Sequence, residues 1–158
     1  MIIVGQAPGS KVHASGVPWD DASGDHLREW LDVSRAQFDD PSWFGILPMG
    51  FCYPGKGPSA DLPPPPICAQ TWHRVLLAEV RADALVLLVG MHAQQSYLGS
   101  AAKRTLTETV RAHQEYLPKL FPLPHPSWRS RTWIKRNPWF CTDVLPTLRT
   151  LVHERRLG

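Results

Sequence analysis

Met1-Ile2-Ile3-Val4-Gly5-Gln6-Ala7-Pro8-Gly9 opens the chain, and the reading of this stretch decides the fold. An unbroken apolar run ended by a Gly- and Pro-rich turn reads as a buried strand that delivers a loop. In open α/β sheets ligands sit at the carboxyl ends of the strands, so this loop is a candidate pocket floor. Gly permits close backbone approach there and Pro stiffens the turn. The same residues are compatible with a simple strand-to-helix connection.

Outward from this strand, Ala84-Leu85-Val86-Leu87-Leu88-Val89, ended by Gly90, reads as a strand buried on both faces, as in a parallel sheet. The segment 43–51 has strand-like composition, but Pro48 keeps its strand short or at an edge. Leu120-Phe121-Pro122-Leu123-Pro124 is the last strand, and its prolines place it at the sheet edge. Between strands, residues 10–21 read as loop carrying His13 and Trp19. A helix is expected over about residues 24–32, capped by Ser23, with Asp25 in its first turn and Leu27, Trp30 and Leu31 as its apolar stripe. Residues 52–68 read as a loop stiffened by Pro63-Pro64-Pro65-Pro66. A helix over 67–81 should bury a face formed by Trp72, Val75, Leu76 and Val80. Further helices are expected at about 91–98 and 105–116, with a terminal helix to about Arg156 in which Pro146 marks a break or kink. Strands alternating with helices predict an α/β fold: one domain over 1–158, a three-layer α/β/α sandwich on a central, mainly parallel, four-stranded sheet.

Composition narrows the functional classes. A chain of 158 residues that is 43% hydrophobic suits a single globular core, expected to be a monomer. No apolar run approaches the roughly 20 residues needed to span a bilayer, and the N-terminus lacks signal-peptide features, so a cytoplasmic protein with no membrane partner is expected. Three cysteines far apart in sequence do not make a disulfide framework. Cys141, in a helical context, reads as buried packing. The net charge of +3 hides an asymmetry: residues 1–100 hold 6 Lys/Arg against 10 Asp/Glu, and residues 101–158 hold 11 against 4. A basic C-terminal third points to a polyanionic partner, although a solvated basic surface has the same composition.

The richest segment runs from His125 to Arg136. His125, between Pro124 and Pro126, arrives just after the last strand and therefore at the same sheet end as the Gly5–Gly9 loop. Restricted backbone freedom suits a positioned hydrogen-bond donor, and it also suits an ordinary turn histidine. Arg129, Arg131, Lys135 and Arg136, interleaved with Trp128 and Trp133, have the composition that binds phosphates and stacks or wedges against bases. A solvated helix face over two buried tryptophans is the alternative.

Gly5-Gln6-Ala7-Pro8-Gly9 with Gly16-Val17-Pro18-Trp19, and later His125-Pro126-Ser127, resemble the two signature motifs of the uracil-DNA glycosylase superfamily. Val89-Gly90-Met91-His92-Ala93 and Tyr97-Leu98-Gly99 resemble the third strand and following helix, so the likeness spans nearly the whole chain. It is nearest the iron-sulfur-containing bacterial and archaeal branches. The resemblance implies a pocket for a base flipped from DNA, lined by Gly5, Pro8, Gly9, Trp19, Pro48 and Met49. Gln6 and Ala7 would form its floor through backbone groups, and Trp19 would stack on the base. His125 would donate a hydrogen bond to the carbonyl oxygen of the departing base. Ser127, Trp128, Arg129, Arg131, Lys135 and Arg136 would contact the DNA, with Trp128 or Arg129 as the wedge.

The sequence departs from that pattern at informative places. Relatives use an Asn at the end of the second strand to read uracil, and Pro48 stands there. Ala7 stands where the best-studied branch has a water-positioning aspartate; Asp20, Asp21 and Asp25 are nearby acids that also suit a surface or a helix start. Cys52 and Cys68 resemble the second ligand pair of the iron-sulfur branches. Two thiolates do not complete a four-cysteine shell, so no cofactor is expected on the chain as given, and a 4Fe-4S cluster is expected only in a longer native form with an upstream pair. The expected activity is excision of a damaged or deaminated base from DNA. The alternative is a non-catalytic nucleic-acid or nucleotide-binding protein on the same fold. A small-molecule hydrolase using Ser10 or Ser127 lacks the strand-Ser-helix elbow such chemistry needs.

Overall fold

The computed structural model describes residues 1–155. Four strands, β1 (Ile2–Val4), β2 (Gly45–Ile46), β3 (Val86–Val89) and β4 (Leu120–Leu123), form one sheet in the order β2-β1-β3-β4 with every pairing parallel. The prolines explain the edges. Pro48 follows β2 and Pro122 lies within β4, and both strands have a single sheet neighbour, so no interior ladder has to do without a proline N–H.

Strand alternation divides the core between two faces. Ile3, Leu87, Val89, Phe121 and Leu123 point to one side. There they meet Leu27, Trp30 and Leu31 of α2 (Ala22–Leu31), Phe38 of α3 (Arg35–Phe38), and Leu148 and Val152 of α8 (Leu145–Glu154). Ile2, Val4 and Leu88 point to the other, with Met49, with Leu77 of α4 (Pro66–Ala78), and with Ala93 and Leu98 of α5 (Met91–Leu98). The result is the three-layer α/β/α sandwich on a four-stranded sheet. Short helices α6 (Leu106–Arg111) and α7 (Ser130–Arg136) complete the set, with 3-10 turns at Gly99–Ala101 and His113–Tyr116 and a π turn at Phe140–Val144.

Several local expectations require correction. Residues 10–21 are not all loop: α1 (Ser10–Ser15) runs from Gly9 to Gly16, whose left-handed φ of 69° ends it. It buries no residue, so it left no apolar periodicity to read. Asp21, rather than Ser23, caps α2, accepting from the Gly24 amide at 2.9 Å. Helix α3, where the sequence reading has no element, is capped by a reciprocal capping box of Ser34 and Gln37. Helix α4 begins at Pro66, a favoured first-turn position for proline, which brings Cys68 into the helix rather than the loop.

The face of α4 is also rotated from expectation. Trp72, Val75 and Leu76 are exposed, while His73 is the buried residue and Ala69, Leu77 and Val80 pack on the core. A buried histidine inverts the apolar-inside reading because hydrogen bonds satisfy its ring. The helix expected over 105–116 changes to a 3-10 turn after Ala112. Cys141 is exposed, not buried. Pro146 lies in the first turn of α8, directly after the π turn, so the break falls before it. The expected helix end at Arg156 lies outside the described residues.

Candidate active site

One cavity of about 720 Å³ opens at the carboxyl ends of the strands. Its floor is the Gly5–Gly9 loop. Backbone bonds beyond β2 hold that floor: the amides of Leu47, Met49 and Gly50 donate to the carbonyls of Ile3, Gly5 and Gln6 at 2.9, 2.9 and 2.8 Å. Gly50 is itself enclosed, since a methyl group there would lie 3.1 Å from Pro64 and Pro65 and 3.3 Å from the Ala7 side chain. The proline run thereby packs beside the floor, as its stiffness allows.

His73 anchors the wall at Pro48. Its Nε2–H donates to the Pro48 carbonyl at 3.0 Å, which leaves Nδ1 to accept from the Tyr97 hydroxyl at 2.7 Å. Burial pushes the Tyr97 hydroxyl pKa up to about 12, so it remains a donor at every physiological pH. Pro48 lines the cavity with its ring and Phe51 stands beside it. Met49 does not line the cavity: its side chain packs in the core, a correction to its expected place in the pocket.

Trp19 forms the opposite wall in a left-handed backbone conformation, φ 58°. Two neighbours make that possible. Any side chain at Gly24 would strike the Trp19 carbonyl at 1.8 Å, and Arg28, which is 7% exposed, donates to that carbonyl at 3.3 Å while pairing with Asp25 at 2.6 Å. The indole lies over Gly5, where a methyl group would meet it at 2.9 Å. Neither Gly24 nor Arg28 was singled out from the sequence; a glycine inside a helical pattern was the available signal.

His125 and Ser127 line the same cavity as the floor loop, together with His92, His13 and Asp21. Burial holds the His125 imidazole below its usual pKa, opposed by the Asp21 carboxylate, so the ring is neutral at pH 7. Asp21 keeps one oxygen on the Gly24 amide and faces the cavity. The neighbouring acids Asp20 and Asp25 are spent on Arg35 and Arg28. The loop after His125 is clamped by His26, whose Nδ1–H donates to the Pro126 carbonyl at 3.2 Å and whose Nε2 accepts from Arg131 at 3.1 Å. His26 was missed because it reads as an ordinary helix-surface histidine.

The basic segment divides. Trp128 is 73% exposed with the Arg129 guanidinium 5.4 Å over its ring. Arg129 also lines the cavity and donates to the Ser59 carbonyl at 3.3 Å across its mouth. Trp133 faces inward, donating Nε1–H to Thr107 at 2.9 Å and meeting Trp139 and Phe140 edge-on. Lys135 and Arg136 are exposed on α7.

The residues present do not fit an iron-sulfur group. Cys52 is exposed, Cys68 is half-buried in the first turn of α4, and among the described residues no three His, Cys, Asp or Glu side chains are grouped to hold a metal. Among the described residues no helix is long and apolar enough to cross a membrane.

The family profile described as the Uracil DNA glycosylase superfamily matches residues 1–149, a span containing the floor loop, Trp19 and the His125 loop. The chain belongs to the uracil DNA glycosylase superfamily, whose activity is directed at bases in DNA.

Proposed function

We propose that this protein cleaves the N-glycosidic bond of a damaged or deaminated base, uracil or a related base, held in the cavity after flipping from DNA. The observation that carries this reading is a neutral, largely desolvated His125 in the same cavity as the Gly5–Gly9 floor. As the bond between C1′ and the base nitrogen breaks, the electron pair leaves with the base and the sugar becomes cation-like. A donor fixed in a water-poor site stabilises charge that exists only in the transition state. His125 donates to the base oxygen, Trp19 packs against the base, and the Asp21 carboxylate favours the cationic sugar. Water then adds to C1′ and gives its proton to solvent, which also protonates the departed base. Arg129, which lines the cavity, and the exposed Trp128 beneath its guanidinium occupy the space the nucleotide vacates. Lys135 and Arg136 contact phosphates.

Pro48 favours a second reading, a nucleic-acid or nucleotide-binding protein without chemistry. It offers the base no side-chain hydrogen bond, and its carbonyl is engaged by His73. The two separate in one experiment: incubate the protein with labelled oligonucleotides containing uracil or hypoxanthine, then cleave abasic sites with alkali. Strand breaks support the glycosylase reading, whereas salt-dependent binding without breaks supports the second.

A further inference from the structure

We infer that the side-chain amide of Gln6 is a second hydrogen-bond donor to the departing base, admitted beside His125 because position 90 has no side chain. Gly90 ends β3 at φ 92°. A methyl group there would lie 3.2 Å from Gln6 Nε2, 3.7 Å from Gln6 Cγ and 3.5 Å from His125 Cβ. Gln6 Nε2 and the root of the His125 side chain therefore flank one small gap at the strand ends. Both residues line the cavity.

The Gln6 backbone carbonyl is committed to the Gly50 amide at 2.8 Å. Its carboxamide, in contrast, makes no hydrogen bond with the described residues. It shares this state with the His125 ring, whereas His73 is engaged by Pro48 and Tyr97, and Gln94 by the Leu123 carbonyl at 2.8 Å. A partly buried amide and an unengaged imidazole that line one cavity, with the amide and the root of the histidine flanking the same gap at Gly90, can serve as two donors to an oxyanion. This role gives the chain at its first motif a contact that neither Ala7 nor Pro48 can make. The NH₂ group, rather than the amide oxygen, turns to the base because charge on the base becomes negative as the bond breaks.

The inference rests on the glycosylase reading, and leaving-group chemistry separates the two. Single-turnover excision of uracil and of 5-fluorouracil from matched oligonucleotides is measured for the wild type, Gln6→Ala and the similarly sized Gln6→Met, with melting temperatures confirming folding. Removing one oxyanion donor lowers the rate by about 10²- to 10³-fold. The loss should fall on the maximal single-turnover rate, with the protein concentration giving half that rate little changed. It should be smaller for 5-fluorouracil, whose less basic anion needs less stabilisation. Gln6→Glu should be slower still at pH 8 and recover toward the Gln6→Ala rate on acidification. If both neutral variants retain rates within about threefold, or lose equally for both bases, the Gln6 role is overturned while the glycosylase reading stands. If the folded wild type excises neither of these bases nor hypoxanthine from a matched oligonucleotide, both are overturned.

Discussion

The rings of Trp19 and His125 lie 6.2 Å apart, centroid to centroid, with their planes tilted by 33°. That is contact distance for two aromatic groups, so the wall of the cavity and its principal donor brace each other. The two residues come from opposite ends of the chain, and Gly5 lies against the same indole. Trp19→Ala should therefore do more than remove a stacking surface. It should lower both base affinity and kcat, the latter by about 10- to 100-fold through loss of His125 alignment. Trp19→Phe should recover most of the affinity but less of the kcat. Single-turnover kinetics across protein concentrations, alongside steady-state kcat, separates affinity from rate.

The clamp on the His125 loop gives a test of positioning. His26→Ala removes the donor to the Pro126 carbonyl and the acceptor for Arg131. A kcat loss of about 10-fold or more is expected with KM nearly unchanged, because small misplacements of a reacting group are costly. A variant that keeps the Nδ1 donor function, His26→Asn, should recover part of the rate. Rescue of the rate at equal melting temperature distinguishes positioning from a general stability effect.

The His73 network predicts a stability effect. His73→Leu leaves the Pro48 carbonyl and Tyr97 hydroxyl without their partner at a partly buried place, a cost of about 1–3 kcal/mol. Tyr97→Phe removes one bond at about 1 kcal/mol. Urea denaturation reads both, and equal losses for the two variants would contradict the assignment of His73 as the hub.

Acid should destabilise the fold. Burial lowers the pKa of His125 and of His113, whose nitrogens approach the Arg111 and Val110 carbonyls without making a hydrogen bond of ordinary geometry. Both titrate near 6.5 when unfolded, so below that pH the unfolded state binds more protons and stability falls until the folded-state values are passed. His113→Phe, which keeps a ring against Phe121, should weaken this dependence, as read from melting temperatures between pH 5 and 8. An unchanged slope would contradict burial as the cause.

DNA affinity should depend on salt through α7. Replacing Lys135 or Arg136 by Ala should reduce the slope of log K against log salt by about 1 each, roughly equally for all sequences. Trp133→Ala should instead destabilise the fold, because its indole is committed to Thr107 and the core. Fluorescence anisotropy at several salt concentrations, alongside melting curves, distinguishes these roles.

The sheet was legible because strands buried on both faces carry continuous apolar runs, as Leu87-Leu88-Val89 does, and because prolines mark edges. The meeting of His125 with the Gly5–Gly9 loop was legible for the same reason: both follow parallel strands and must emerge at one end. What stayed hidden was polar satisfaction across long sequence separations. Nothing local reveals that His73 turns α4 inward through Pro48 and Tyr97, or that His26 holds Pro126 one hundred residues away. The surface helix α1 was hidden because it has no buried face, and Met49 packs in the core while Ile46, Pro48 and Phe51 of the same segment line the cavity.

The most direct test of the central claim compares wild type and His125→Ala on a uracil-containing single-stranded oligonucleotide under single-turnover conditions. Alkali-labile cleavage by the wild type is expected, with a rate lower by about 10²- to 10³-fold in the variant and DNA affinity within a few-fold. Excision that survives loss of His125, or a folded wild type that binds the oligonucleotide and excises nothing, would contradict it.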